Sequence, residues 1–453
     1  MPDAFILVAY LAGFVLGQVL RDAQHLALGG QAAGECVAER QHHGVDDVAR
    51  RDVIPPALTQ EQSIEHQVVR PDHARAVVRA ADVPPGVLDG AQQVLGDLGG
   101  RRHLRTHGVP DRARLLELAE AVQRAHLDPA ACSGAGGVLG GAGYIGSHVV
   151  RLLQQRGDEV VVIDDMSAGV IERLGGAKLL PLDLAAPEAM TLLTELFKTE
   201  KIEAVIHLAA RKKVGESVEL PEWYYEQNIS GLAHLLGAMR QTGVTKLVFS
   251  SSAATYGMPD VPAVSEDLQC EPINPYGQTK LIGEWMVANA ARAWGLRGAN
   301  LRYFNVAGAG WPDLADTAIA NLVPIVFAAI RAGKDPVVFG DDYPTPDGSC
   351  VRDYVHVHDL AEAHLSALDY LDRDDRPHAT FNVGTGAGSS VFEVLDEIKK
   401  VSGIDFKIDV QPRRAGDPPY LAADVSRIRE TLDWRAKNGL AEIIDSAWAA
   451  LQA

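Results

Sequence analysis

Tyr276 and Lys280 stand four residues apart in the chain, and Ser252 precedes them by about one strand-to-helix connection. Residues four apart on a helix share a face, so the phenol and the ammonium can point into one cleft. A cation about 4 Å from the phenol, at an effective dielectric near 20, favours the phenolate by roughly 4 kcal/mol, about three pK units. We therefore expect Lys280 to lower the pKa of Tyr276 toward neutrality, which would make a base for redox chemistry at a sugar hydroxyl. Taken alone, the pair also fits an ordinary exposed helix face.

A glycine loop at 140–146 fits the pattern G-x-G-x-x-G and has the context that gives this pattern meaning. We predict a helix over 147–155 after the loop, and a buried parallel strand over 159–165 that ends in acid. Such glycines let the backbone approach a pyrophosphate, the helix N-terminus supplies N–H donors, and the acid binds a ribose hydroxyl. Asp164 is the candidate acid. Because no arginine directly follows it, the pattern favours NAD over NADP, whose 2′-phosphate would meet like charge.

Strands and helices alternate through the rest of this half, as a doubly wound sheet requires. We predict strands at 202–208, 246–250 and 298–303, and helices at 221–241 and 276–294. Ligands of such sheets gather at the carboxyl ends of the strands. The side chains that fall at such ends are Asp183, Ala209, Ser252 and Asn305. The predicted fold class is α/β, a Rossmann-type doubly wound parallel sheet with a smaller C-terminal substrate lobe.

Several separate stretches resemble the UDP-sugar 4-epimerases of the extended short-chain dehydrogenase/reductase family. The matching stretches are 140–148, 214–218, 249–257, 276–280, 301–305, 342–348, 351–356 and 413–417. The resemblance covers roughly residues 138–453 and implies NAD-dependent interconversion of UDP-glucose and UDP-galactose. Hydride leaves sugar C4 for NAD⁺ and returns to the other face of the 4-keto sugar, so no net oxidation occurs.

The resemblance also implies roles for individual residues. Tyr276 would take the proton of the sugar 4-hydroxyl, Ser252 would hydrogen-bond the same oxygen, and Lys280 would hold the nicotinamide ribose. The implied NAD contacts are Gly140, Gly141, Gly143, Tyr144, Ile145, Gly146, Asp164, Asp183, Leu184, Leu208, Ala209, Lys212, Asn228 and Phe304.

The C-terminal part would close on the UDP-sugar. Its implied substrate contacts are Asn305, Asn321, Leu322, Phe339, Arg352, Arg414, Asp417 and Leu421. Arginine suits the diphosphate because its planar guanidinium can make two parallel bonds to it. Leu421 falls where this family places a residue that limits the sugar pocket. Its bulk predicts a preference for UDP-glucose and UDP-galactose over UDP-N-acetylhexosamines.

Other functions share this fold. A nucleotide-sugar 4,6-dehydratase would need an acid pair after the serine segment, where this chain has Ala253, Ala254 and Thr255. A pentose, uronate or N-acetylhexosamine 4-epimerase would differ only in pocket detail. A catalytically impaired NAD-binding or scaffold protein is a further alternative. The intact Ser252, Tyr276 and Lys280 oppose an evolved loss of catalysis, but they do not oppose damage from the altered first strand.

The first 137 residues differ in composition from the remainder. Eight of the 15 histidines precede residue 131, whereas lysine is absent before Lys178. Glycines at 134, 136 and 137 occupy the place of the apolar strand that should precede the glycine loop, and glycine costs backbone entropy there. We therefore expect 1–137 to be an atypical extension, disordered or a misassigned start. The NAD-binding domain would span 138–305 and the nucleotide-sugar lobe 306–453.

Composition narrows the remaining possibilities. A formal net charge of −18 argues against nucleic-acid binding, and four cysteines without a C-x-x-C pair indicate a reducing compartment. An apolar run at 4–20 is short for a membrane span and lacks a positively charged lead-in, so we expect no membrane role. No metal site is expected. We predict a cytoplasmic enzyme and, from the resemblance alone, a homodimer formed through the helices near 221–241 and 276–294.

Overall fold

The computed structural model describes residues 135–373, 378–414 and 416–453. The first 134 residues, with the apolar run at 4–20 and most of the atypical extension, lie outside the described part. The main sheet is built by β1 (Ala135–Leu139), β2 (Val160–Asp164), β3 (Lys178–Pro181), β4 (Ile202–His207), β5 (Lys246–Ser252), β6 (Arg297–Tyr303) and β10 (His378–Val383). The helices between its first six strands are α1 (Tyr144–Arg156), α2 (Ala189–Thr199), α3 (Val214–Glu219), α4 (Pro221–Tyr225), α5 (Gly231–Thr242) and α6 (Pro275–Trp294).

All seven strands of the main sheet run parallel, in the order β10, β6, β5, β4, β1, β2, β3. This order reverses at β1 and β4, as in Rossmann-type sheets, so a ligand crevice opens at the carboxyl ends of these two strands. The α/β doubly wound fold predicted from the sequence is confirmed.

Strand β1 forms despite its two glycines. It lies in the middle of the sheet, where Gly136 pairs with Val160 and Val138 pairs with both Val162 and Ile206. Backbone hydrogen bonds to β2 and β4, on either side, stabilise the strand where its glycines have no side chains to pack. A Cβ on Gly137 would lie 3.5 Å from the nearest atom, a methyl of Ile202, so space is available for a larger residue. The glycine-rich junction is therefore a complete first strand, in which Ala135, Val138 and Leu139 pack in the core and the two glycines contribute no side chain.

Two apolar layers cover the sheet. Successive residues of β2 alternate between them: Val162 faces one layer, with α1, while Val161 and Ile163 face the other, with α2 and α5. Because both faces are covered, the strand reads as a continuous apolar run rather than an alternating one. This burial explains why the sequence predicted β2 correctly.

The predicted helix at 221–241 is wrong in one respect, because a π-helical turn at Glu226–Ser230 separates α4 from α5. The wider turn carries Asn228, whose side-chain amide accepts from the backbone N–H of Arg211 at 2.8 Å and donates to its carbonyl at 3.0 Å. Such turns are frequent at functional sites because they re-aim a side chain.

The described C-terminal residues add two smaller sheets and five α-helices. The strands are β7 (Asn305–Ala307), β8 (Val337–Phe339), β9 (Val351–His356), β11 (Gly388–Ser390), β12 (Asp409–Gln411) and β13 (Tyr420–Leu421), and the helices are α7 (Leu322–Arg331), α8 (Val357–Tyr370), α9 (Val391–Ser402), α10 (Ser426–Leu432) and α11 (Leu440–Ala450). Strand β9 is the centre of a four-stranded sheet with β7, β11 and β13, while β8 pairs with β12. Helices α8 and α10 pack in the apolar cluster of the main sheet. Helix α8 follows β9 directly and packs back on α1. Among the described residues, no helix has the length and apolar character that a bilayer span requires.

Candidate active site

The glycine loop lies between β1 and α1 and is too tight for other residues. Gly140 has a φ of +80°, and a Cβ there would come within 2.6 Å of the backbone nitrogen of Ala209. A Cβ on Gly146 would meet the carbonyl oxygen of Gly140 at 2.1 Å. The first turn of α1, which begins at Tyr144, therefore sits against the strand ends with its N–H groups directed toward the crevice. This cradle fits the pyrophosphate of a dinucleotide.

Asp164 ends β2 beside this loop. Its two carboxylate oxygens accept hydrogen bonds from the backbone N–H of Ala142 at 3.0 Å and of Met166 at 2.9 Å. Burial raises the pKa of Asp164, and these two bonds oppose that rise by stabilising the charged form. Each oxygen retains a second lone pair, so the carboxylate can accept the hydroxyls of a ribose.

The other predicted NAD contacts lie after neighbouring strands. Asp183 and Leu184 follow β3, while Leu208 and Ala209 follow β4 and donate their N–H groups to the Leu139 carbonyl at 2.8 and 3.0 Å. The remaining three are the buried Asn228 and Phe304 and the exposed Lys212. Because the carboxyl ends of parallel strands meet along one edge, Asp183, Leu184, Leu208 and Ala209 lie on the same edge of the sheet as the glycine loop.

The catalytic candidates come from β5 and α6. Ser252 is the last residue of β5, and its hydroxyl oxygen accepts from the backbone N–H of Ala254 at 3.2 Å. Tyr276 is the second residue of α6, whose start is fixed by Asn274: the side-chain oxygen of Asn274 accepts from the N–H of Gly277 at 2.9 Å. The Ser252 side chain interacts with the phenol of Tyr276 and lowers its pKa, while burial raises it more strongly.

The predicted effect of Lys280 on Tyr276 is wrong. The ammonium of Lys280 donates to the Ser250 carbonyl at 2.7 Å and lies 5.9 Å from the centroid of the Tyr276 ring. Burial lowers the pKa of Lys280 to about 7, and the Glu284 carboxylate acts against this. The pKa of Tyr276 is raised overall, because burial of its own phenol outweighs the interaction with Ser252. Spacing on the helix correctly placed both groups on one face, but it could not show where the ammonium bonds.

A buried ionic network, not predicted from the sequence, supports these residues. Arg302 of β6 donates to the two carboxylate oxygens of Glu284 at 2.8 and 2.7 Å, and the Ser251 hydroxyl donates to the same carboxylate at 2.5 Å. Glu284 lies one helical turn after Lys280, and Ser251 immediately precedes Ser252. The network therefore joins β5, which carries Ser252, to α6, which carries Tyr276. The sequence feature that could have indicated this network is the four-residue spacing of Lys280 and Glu284 on α6.

Predicted substrate residues assemble around β9. Arg352 makes an ion pair with Asp417, Nη2 to Oδ1 at 2.5 Å, and Leu421 pairs with Arg352 in the strand register. The guanidinium carbon of Arg414 lies 3.8 Å from the centroid of the Phe339 ring. These contacts link residues from three separate segments of the chain. In them, Arg414 stacks on an aromatic ring and Arg352 is paired with a carboxylate.

The other three predicted substrate residues lie on β7, which pairs with β9, and at the start of α7. Asn305 is exposed on β7, opposite Tyr354 in the register. Asn321 and Leu322 lie at the start of α7, where the Asn321 amide donates to Asp316 at 3.2 Å.

The two site regions approach one another near Gly416. A Cβ on Gly416, which lies between Arg414 and Asp417, would come within 3.1 Å of Cδ1 of Ile273. Ile273 immediately precedes Asn274, the N-cap residue of α6. The segment that carries Arg414 therefore packs against the start of α6.

Comparisons with known proteins agree with this geometry. A model of the NAD dependent epimerase/dehydratase family matches residues 137–384. A UDP-glucose 4-epimerase of Lactobacillus helveticus is 43% identical over 321 residues, covering 69% of this chain and 95% of that protein. One of Azospirillum brasilense is 44% identical over 306 residues, covering 66% of this chain and 87% of that protein.

Solved structures give the same result. UDP-glucose 4-epimerase from Brucella ovis, in complex with NAD, superposes with a TM-score of 0.66 and 40% identity over 70% of this chain and 97% of that one. The enzyme from Stenotrophomonas maltophila, with NAD and formylated UDP-arabinopyranose, has a TM-score of 0.67 at 38% identity over 70% of this chain and 98% of that one. This chain therefore belongs to the NAD-dependent epimerase/dehydratase family, which confirms the family resemblance and the NAD cofactor predicted from its sequence.

Proposed function

We propose that this enzyme interconverts UDP-glucose and UDP-galactose by transient oxidation at sugar C4. The observation that carries the proposal is the contact between Ile273 and Gly416, which puts the arginine-bearing segment beside the start of the catalytic helix. A diphosphate held by that segment can extend its sugar toward Ser252 and Tyr276. The UDP-glucose 4-epimerases of other organisms that are 41–44% identical to the chain support the same substrate.

Tyr276 and Ser252 handle the proton in this reaction. When bound, NAD would supply the hydride acceptor for the C4 hydrogen. Tyr276 accepts the proton of the 4-hydroxyl as the C4–H bond breaks, and it gives the same proton back when the alcohol forms again. Ser252 hydrogen-bonds the reacting oxygen and orients it. Because the proton is returned at every turnover, the buried phenol needs no exchange path to solvent.

Arginine residues bind the substrate diphosphate in this proposal. Stacking on Phe339 restricts the guanidinium of Arg414 while leaving its edge available for N–H···O bonds. Arg352 is aligned by Asp417 and can bond a second phosphate oxygen. Asn305, Asn321 and Leu322 complete the nucleotide contacts.

UDP-N-acetylhexosamines form the second candidate substrate class. A UDP-Glc/GlcNAc 4-epimerase from Campylobacter jejuni is 40% identical, with a TM-score of 0.63. Leu421 is half-buried on β13, next to Arg352 in the register, and its bulk narrows the pocket where an N-acetyl group would lie. The preferred substrates are therefore the unsubstituted hexoses.

The proposed assembly is a homodimer in the cytoplasm, formed through α5 and α6. Trp285, on α6, leaves 57% of its surface exposed in the single chain, which supports a partner at this helix. Sedimentation of wild type and Trp285→Lys should give a dimer and a monomer, respectively. A monomeric wild type would contradict the assembly.

The proposed domains keep the order predicted from the sequence, with NAD binding at 138–305, the substrate lobe at 306–453 and the atypical extension before them. Strand β1 moves the start of the NAD-binding part back to Ala135. Strand β10 returns to the main sheet, so the two parts interleave. Limited proteolysis should leave a fragment that begins near β1. A protease-resistant fragment from within 1–130 would contradict the proposal that this extension is disordered or a misassigned start.

The decisive experiment is conversion of UDP-galactose to UDP-glucose by the full-length chain, with bound NAD measured on the same sample. Turnover with retained NAD is the expected result. Bound NAD without conversion of either hexose, but with conversion of a UDP-pentose or UDP-uronate, would replace the proposed substrate.

A further inference from the structure

Arg211 lies just beyond β4 and connects three parts of the crevice edge. Its Nη2 makes an ion pair with Oδ2 of Asp165 at 2.6 Å, and Nη1 donates to the Ser167 hydroxyl at 2.7 Å. Its Nε donates to the Gln227 side chain at 3.2 Å, and the guanidinium carbon lies 5.0 Å from the centroid of the Trp223 ring. One side chain thus joins the loop after β2 to the segment containing α4.

The backbone of Arg211 is fixed from inside the protein. The two hydrogen bonds from the buried Asn228 hold its N–H and its carbonyl, and the Asn228 amide also donates to the Thr279 hydroxyl of α6 at 3.0 Å. The Arg211 and Asp165 side chains are only 26% and 28% exposed. This ion pair is therefore held in a fixed position at the wall of the crevice.

The pair lies beside the predicted ribose site. Asp165 immediately follows Asp164, the carboxylate that ends β2 next to the glycine loop. The Arg211 guanidinium is also close enough to Asp164 to lower the pKa of that carboxyl, against the rise caused by burial.

We propose that the Asp165–Arg211 pair closes the adenosine-ribose end of the NAD crevice, retaining NAD and excluding a 2′-phosphate. The proposal rests on the NAD assignment and adds two residues to it. A guanidinium held by a carboxylate and an indole forms a rigid cover, because little of its freedom is left to lose when NAD binds. An unpaired arginine there would attract a 2′-phosphate, and Asp165 cancels that attraction by occupying the guanidinium and adding a negative charge.

Cofactor release tests the retaining role. Full-length Arg211→Leu, loaded with labelled NAD and chased with unlabelled NAD, should release the label about tenfold faster than wild type, the loss expected for a charge-assisted contact. Arg211→Lys, which keeps the charge, should recover part of this loss.

The matched control is Arg151→Leu. Arg151 also pairs with a carboxylate, that of Asp313, and lies over an indole, that of Trp311 at 5.1 Å, but it stands in the second half of α1. Its release rate should stay within about twofold of wild type. Equal release from Arg211→Leu and Arg151→Leu would overturn the retaining role.

The choice between NAD and NADP tests whether the pair lies at the adenosine ribose. The expected result is a gain of NADP binding, which structural damage alone would not produce. Asp165→Asn and wild type are equilibrated with equal NAD and NADP, and the bound cofactors are quantified. The bound NADP-to-NAD ratio should rise at least about fivefold in the variant, because Arg211 is released toward the 2′-phosphate. An unchanged ratio would overturn the proposal. A wild type that binds no NAD would instead contradict the cofactor assignment.

Discussion

Replacing Glu284 by glutamine removes one charge from the buried network between β5, β6 and α6. Arg302 and Glu284 have side chains only 6% exposed, and two hydrogen bonds join them. Two unit charges about 4 Å apart at an effective dielectric near 20 interact by about 4 kcal/mol. Breaking a buried pair from one side costs about 3–5 kcal/mol, since the remaining charge has no partner. We expect Glu284→Gln to lower the free energy of unfolding by about 3 kcal/mol, allowing for the bonds that the amide retains.

Urea unfolding at pH 7.5, followed by tryptophan fluorescence, measures this loss. The control is Asp369→Asn, which removes the carboxylate from an exposed ion pair with Arg156 and should cost less than about 1 kcal/mol. The double variant Glu284→Leu with Arg302→Met removes both charges and should recover more than half of the loss. A loss for Glu284→Gln no larger than that of Asp369→Asn would refute the assigned role of the network.

The same variant has a catalytic signature. Glu284 raises the pKa of Lys280, opposing the burial that lowers it to about 7. Without the carboxylate, Lys280 loses its proton at lower pH. Because we propose that Lys280 holds the nicotinamide ribose as the charged ammonium, the alkaline limb of the kcat/KM profile should move to lower pH. If the variant folds and the apparent pKa of the alkaline limb does not change, ionisation of Lys280 is not what causes that limb.

Four further outcomes follow. Tyr276→Phe should abolish epimerisation while leaving NAD content and UDP binding nearly intact, and near-normal turnover would remove Tyr276 from the mechanism. Gly137→Ala should raise the free energy of unfolding by about 0.5–1 kcal/mol, measured by urea unfolding, because the site has room for a methyl group and the unfolded chain loses freedom; destabilisation would mean that β1 is more tightly packed than described. His207 is buried, and its pKa is lowered to about 3, so the unfolded chain binds a proton below pH 6.5 that the folded chain does not. Above pH 6.5 the contribution of His207 to the free energy of unfolding is fully present, and at pH 5.5 it is smaller by about 1.4 kcal/mol. His207→Leu should remove this pH-dependent loss, which urea unfolding at pH 7.5 and 5.5 would measure. Leu421→Ser should increase the turnover of UDP-N-acetylgalactosamine relative to UDP-galactose, and an unchanged ratio would show that Leu421 does not limit the pocket.

Local patterns were enough for much of the fold. The apolar run of β2 predicted a buried parallel strand, and the glycine spacing at 140–146 predicted a loop before a helix, where the structure has both. The four-residue spacing of Tyr276 and Lys280 predicted a shared helix face. Each of these features depends on residues close together in the chain, where backbone geometry leaves few alternatives.

Tertiary contacts decided what the spacing left open. The glycine-rich segment before Gly140 is a strand because β2 and β4 bond it from both sides, although its own residues favour no strand. Lys280 bonds the Ser250 carbonyl rather than the Tyr276 phenol, and Arg211 meets Asp165 across 46 residues of chain. Sequence alone determined the fold family, the cofactor loop and the residues that can carry the chemistry. Only the folded chain determined their charges and partners, because burial and long-range pairing set these and neither follows from local spacing.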